Sequence, residues 1–131
     1  MSIPPTVMVV DDDEELARLF RILLEESGFN SVHFTDPLLA LKHFENDPQR
    51  YWLVIADLKM PVLNGIDLAK RIRDNSSSAK ILLITGFFDD EYLNGDEFKK
   101  ARISRVLHKP VKLKELLRYV NELCYSNVTT Q

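Results

Sequence analysis

Val7-Met8-Val9-Val10-Asp11-Asp12-Asp13-Glu14-Glu15, near the start of the chain, is an apolar, β-branched run that stops abruptly at three consecutive aspartates, the first of five acids. A four-residue run of this kind reads as a strand covered on both faces, as in a parallel sheet. One acid after a strand would cap the following helix. Three mutually repelling carboxylates imply that something positive belongs beside them.

Four further strand-like runs follow, at Ser31–Phe34, Trp52–Ala56, Lys80–Thr85 and Arg105–His108. Two of them, Trp52-Leu53-Val54-Ile55-Ala56 and Ile81-Leu82-Leu83-Ile84-Thr85, are as continuously apolar as the first. Helical patterns separate them. Leu16, Leu19, Phe20 and Leu23 recur at helical spacing before Gly28, a stop signal. Asp36-Pro37 supplies an N-cap and a proline at the first helical position. Ile66, Ala69 and Ile72 share one side of a third helix, and Leu113, Leu116, Leu117, Val120 and Leu123 mark the last. The pattern over 90–101 is broken by Asn94-Gly95 and predicts a short or frayed helix. Alternation of this kind predicts an α/β fold: a doubly wound, five-stranded parallel sheet with helices on both faces.

The 131 residues suit one domain, with a core over about 6–124 and a loose polar tail over 125–131. Hydrophobic residues at 45% and charged residues at 28% fit a soluble globular chain rather than a disordered one. A net charge of −3 argues against direct binding of nucleic acid, which needs a basic patch. No apolar run is long enough to span a membrane, the proline-containing start is unlike a secretory signal, and the single Cys124 cannot form an internal disulfide. A cytoplasmic location is expected, with Cys124 in a packing role.

Ligands of open α/β sheets bind at the carboxyl ends of the strands. Asp11 and Asp12 end the first strand, Asp57 the third, Thr85 the fourth and Lys109 the fifth, so all five converge on one edge. Clustered carboxylates suit a hard cation such as Mg²⁺. A hydroxyl and an ammonium beside them suit the oxygens of a phosphoryl group, and one carboxylate is left as a nucleophile. Each residue alone has a plainer reading: cap, strand end or turn. Their shared position carries the inference. His33, His43 and His108 have no metal-ligand spacing and are expected to be structural.

In these features the sequence resembles the response-regulator receiver domains, the CheY-like family of two-component signalling. Val9-Val10-Asp11-Asp12-Asp13, Val54 to Gly65 around Asp57, Leu82-Leu83-Ile84-Thr85-Gly86 and Val106-Leu107-His108-Lys109-Pro110 carry the resemblance over roughly 6–124. It implies the strand order 2-1-3-4-5. Asp57 would be the phosphoacceptor, with Asp11, Asp12, Asp57 and the Lys59 backbone carbonyl around Mg²⁺. Thr85 and Lys109 would hold the phosphoryl group, the Lys109–Pro110 bond would be cis, and Asp13 would start the first helix. The phosphodonor would be a sensor histidine kinase or a histidine phosphotransfer protein, and the output a downstream protein or domain. Dimerisation through 90–123 is possible in such a scheme. The domain would be a phosphotransfer substrate that assists its own chemistry, not an enzyme in the ordinary sense.

Two departures, a flanking pair and one surplus stand out. Val106 occupies a position often aromatic in the family, the segment from Thr85 to Lys109 is about two residues longer than usual, and Lys59 and Phe87 flank the expected phosphoryl position. They imply a signal carried by rearrangement of 86–102 and a long-lived phosphoaspartate. Surplus apolar residues on the first helix, Ile22 and Leu24, either extend the core or meet the phosphodonor. The charges Lys112, Lys114, Glu115 and Arg118 on the last helix read as a solvated face. Two other functions compete. One is a pseudo-receiver that binds without phosphotransfer, which Val106 favours. The other is a haloacid-dehalogenase-like phosphatase, in which Asp11 and Asp13 would form the opening pair and Asp89-Asp90 the later acids. Phosphorylation at Asp11 rather than Asp57 would mark the phosphatase. The pattern fits either a stand-alone regulator or a receiver from a longer chain.

Overall fold

The computed structural model describes residues 4–86 and 90–129. Thr6–Val10 (β1), Asn30–Phe34 (β2), Tyr51–Asp57 (β3), Lys80–Thr85 (β4) and Arg105–His108 (β5) form one parallel sheet in the order β2-β1-β3-β4-β5. Every neighbouring pair is parallel, as the alternation of strands and helices requires. Side chains of β1 alternate between two cores. Val7 and Val9 join Leu53, Ile55, Leu82 and Ile84 under Glu14–Glu26 (α1) and Leu113–Thr129 (α5). Met8 and Val10 join Val54, Ala56, Ile81 and Leu83 under Pro37–Asn46 (α2), Gly65–Asn75 (α3) and Asp96–Ala101 (α4). This double coverage explains the continuous apolar runs of the inner strands.

Local chemistry sets the helix starts. Asp13 accepts hydrogen bonds from the Glu15 and Leu16 amides at 3.1 and 3.3 Å, Asp36 from Leu38 at 3.0 Å and Asn64 from Asp67 at 2.8 Å. The start of α4 is Gly95, which has no capping side chain, and a 3-10 turn over Asp90–Asn94 precedes it. That helix has six residues, as its interrupted pattern predicted.

Three expectations are corrected. Leu19, placed on the core stripe of α1, is 47% exposed, and the buried residues there are Ala17, Phe20 and Leu24. Leu24 therefore extends the core, whereas Ile22 faces solvent beside Leu19. Trp52, within a run read as covered on both faces, is 46% exposed because the β1–β3 register shifts there. The last helix continues to Thr129, past the expected polar boundary at 124. Phe87, Phe88 and Asp89 lie outside the described residues.

Two of the histidines make contacts within the fold. His33 accepts a hydrogen bond from Arg21 Nε at 2.9 Å, with its Nε2 3.1 Å from Glu14 Oε1, and His43 packs against Phe34 at 4.9 Å between ring centroids. Burial pushes the Cys124 thiol up to about 12, which suits packing rather than reactivity.

Among the described residues two non-glycine positions have positive φ, Arg102 at the end of α4 (48°) and Val62, and only the second is β-branched. Val62, between β3 and α3, has φ 73° and is 86% exposed. A β-branched residue is disfavoured there, and its side chain has little packing to lose. Val62→Asn is expected to stabilise the protein by about 1 kcal/mol, read as a raised denaturation midpoint with an unchanged denaturant slope.

Candidate functional site

Each inner strand delivers its last polar residue to the same edge. Asp11 follows β1, and its amide donates to Phe34 O at 3.1 Å, which holds the ends of β1 and β2 together. Asp57 and Thr85 are the last residues of β3 and β4. Lys109 follows β5, and its amide donates to Thr85 O at 2.8 Å. The Lys109–Pro110 peptide is cis, as the family resemblance implied.

Asp11, Asp57 and Thr85 are buried, while Asp12 is exposed at the rim. One carboxylate oxygen from each of Asp11, Asp12 and Asp57 lies within 4.8 Å of the other two. Lys109 Nζ is 3.0 Å from Asp57 Oδ1. Among the described contacts Lys109 is outnumbered by these carboxylates, and the oxygen-only donor set fits a small divalent cation. The unmet valences point the same way. Among the described residues Asp11 Oδ2 and Thr85 Oγ1 are buried without a hydrogen-bond partner. Buried polar atoms are normally satisfied, so both are poised for something that completes them.

Burial is the main cause of a raised Asp11 pKa, to about 6. The Asp13 amide and Lys109 oppose that rise, and Asp57 and Asp12 add to it. Burial likewise raises Asp57, against the hydrogen bond and charge of Lys109. Burial alone would lower Lys109, but the Asp57 hydrogen bond and the charges of Asp57, Asp11 and Asp12 outweigh it and leave the ammonium held above its usual range.

The loop after Asp57 is fixed by backbone. Leu58 N donates to Ile84 O at 2.8 Å, and Gly65 N donates to Leu58 O at 2.9 Å. A Cβ on Gly65 would meet Asp57 O at 2.5 Å and Leu83 Cδ1 at 2.7 Å, so only glycine lets α3 start this close to the acid. Lys59 lies in this loop and, with Leu58, Met60, Pro61, Asn64 and Tyr92, lines a groove of about 420 Å³. Sequence reading missed Tyr92, because nothing in the broken pattern around Asn94-Gly95 says which way that turn faces.

The fold and this edge are those of a phosphorylation-controlled signalling domain, and the chain belongs to the response regulator receiver domain family, whose pattern matches residues 7–121. It is 30% identical over 117 residues to the response regulator receiver protein CpdR of Brucella abortus, covering 89% of this chain and 94% of that one. It is 26% identical to the polar-differentiation response regulator DivK of Brucella anthropi, with the same coverage. A receiver protein from Pseudomonas putida superimposes with a TM-score of 0.81 at 28% identity, over 93% of this chain and 99% of that one. The chain also matches the autoinducer 1 sensor kinase/phosphatase LuxN of Vibrio harveyi at 32% identity, but spans only 13% of it. Receiver domains bind Mg²⁺ at an acidic pocket and work with sensor kinases and output domains. The phosphatase and pseudo-receiver readings are not favoured. Among the described residues no helix is long and apolar enough to cross a membrane.

The raised Asp11 pKa sets a pH dependence. Between its ordinary 3.8 and about 6 the folded state binds the proton more tightly than the unfolded state. Stability of the cation-free protein therefore falls as pH rises through that window, by up to about 3 kcal/mol. The raised Asp57 works in the same direction. In the presence of EDTA, Asp11→Asn is expected to gain about 1–3 kcal/mol over the parent at about pH 7.5 and almost nothing at about pH 4, measured by urea denaturation.

Proposed function

We propose that this domain accepts a phosphoryl group from a phosphohistidine onto Asp57 in the cytoplasm. Asp11, Asp12, Asp57 and the Lys59 backbone carbonyl would hold Mg²⁺. The observation that carries the reading is the pair of buried, unpartnered atoms, Asp11 Oδ2 and Thr85 Oγ1, on the edge where Lys109 meets Asp57. A metal would complete the first and a phosphoryl oxygen the second.

An Asp57 carboxylate oxygen attacks phosphorus, the P–N bond to the donor imidazole breaks, and the histidine leaves with the bonding electron pair. Bound Mg²⁺ supplies positive charge to the transferring phosphoryl oxygens. Asp57 must be ionised to attack, and Lys109 opposes the burial that would keep it protonated. After transfer Lys109 Nζ exchanges Asp57 Oδ1 for a phosphoryl oxygen, and Thr85 Oγ1 donates to another. Attack by water on the phosphoaspartate resets the domain. The protein is thus a reactant that positions its own groups, not a catalyst acting on a separate substrate. With Val106 in β5, the change reaches partners through the 3-10 turn and α4, whose start has no capping side chain. The response is read by a downstream protein, an output domain or a second copy meeting residues 90–123.

Incubation with acetyl phosphate and Mg²⁺ is expected to add one phosphoryl group by intact mass, with no addition in Asp57→Ala or in EDTA. No addition to folded protein would overturn the reading, and addition that survives Asp57→Ala would place the chemistry elsewhere.

Thr85→Val separates function from structure. Replacing an unsatisfied buried hydroxyl by a methyl of the same shape is expected to leave the unmodified protein as stable or up to about 2 kcal/mol more so in urea, while phosphorylation slows at least about tenfold.

A further inference from the structure

Far from the acids, the start of β3 breaks the regularity of the sheet. Thr6 pairs with Tyr51 and Val7 with Leu53, and the pairing of β3 with β4 begins at Leu53 opposite Lys80. Trp52 is therefore the unpaired residue of a bulge, which is uncommon between parallel strands and re-aims the side chain it carries. It lies five residues before Asp57, about 17 Å away along the strand. The bulge turns the chain's single tryptophan outward, 46% exposed, among the described residues without a hydrogen-bond partner for its indole N–H.

Trp52 lines a groove of about 580 Å³ at this pole. Leu123 and Cys124 of α5 lie on one side, Pro48 and Gln49 of the 3-10 turn Pro48–Arg50 on another, and Ser78 and Lys80 before and within β4 on a third. The volume and the mix of apolar wall with a few polar groups are those of small-molecule sites. Lys80 is the one charged residue among those lining it, and among the described residues it has no ion-pair partner.

The geometry points to a binding site for a planar aromatic anion, with the ring against the Trp52 indole and the anionic group at Lys80 Nζ. The apolar wall from Leu123 and Pro48 covers the other side of the ring, and the Ser78 hydroxyl and Gln49 amide supply hydrogen bonds at the rim. A ligand here leaves the Asp57 edge free, so the two sites can be filled together. The thiol of Cys124, pushed up by burial, serves as wall rather than nucleophile.

The tryptophan reports occupancy of this groove directly. The probe is 8-anilinonaphthalene-1-sulfonate, an anion whose planar naphthalene ring accepts energy from tryptophan. Titration into the full chain is expected to quench Trp52 emission and raise probe emission together, saturating at one probe per chain. Lys80→Gln should weaken the sulfonate at least about threefold and leave uncharged N-phenyl-1-naphthylamine unaffected. Ser78→Phe, at an exposed position, should fill the groove and abolish binding of both probes in protein that melts like the parent, and Asp57→Ala should change neither. Probe emission that does not saturate, that persists in Ser78→Phe, or that is lost in Asp57→Ala would overturn the assignment.

Discussion

Three carboxylates within reach of one another at the end of an apolar sheet are a constraint that most of this structure answers. Asp11 and Asp57 are held where burial opposes their ionisation, and Lys109 compensates for only part of that cost. A surface cluster would spread apart into water. Here the strand ends forbid it, because Asp11 is tied through its amide to Phe34 O and through Oδ1 to the Asp13 amide at 2.9 Å. Asp57 is the last residue of the central strand, and its position is closed from above by Gly65. The site is therefore kept in an unrelieved electrostatic state by apolar packing of β1, β3 and β4 below it, and the packing must be stiff for that state to persist.

The same constraint explains why so much of the site was legible in the sequence. A strand buried on both faces shows as a run without polar residues, so its end is marked by the first polar one, and parallel strands all end at the same edge. Asp11, Asp57, Thr85 and Lys109 could be brought together without knowing a single distance. What stayed illegible depends on backbone detail. The exposure of Trp52 comes from a one-residue shift against β1, invisible in an unbroken apolar run. Leu19 and Ile22 have the spacing of core residues, yet α1 is rotated so that Ala17, Phe20 and Leu24 fill the interior. Periodicity names a stripe but does not fix its width. The helical continuation to Thr129 defies a polar composition because the amphipathic helix before it is already anchored by Leu116 and Val120, and propagation costs less than nucleation.

Attachment of α4 shows how unevenly the fold is tied together. The helix is six residues long and has no capping side chain, so little of its stability is local. It is held instead from α3. Lys70 pairs with Glu97, and the Arg73 guanidinium donates to the backbone carbonyls of Ala101 at 3.1 Å and Arg102 at 2.8 Å, and to Ala79. Burial and the nearby Arg102 lower the Arg73 pKa, and no carboxylate among the described residues offsets them. Carbonyl dipoles alone satisfy this cation, and they do so only while the end of α4 stays beside α3. Arg73 therefore fixes the carboxyl end of α4 more firmly than Gly95 fixes its start. In the proposed function, a change at Thr85 would enter this segment through the turn before α4, where Lys70 holds Glu97 of the first turn, and the Arg73 anchor at the carboxyl end would limit how far it passes toward β5.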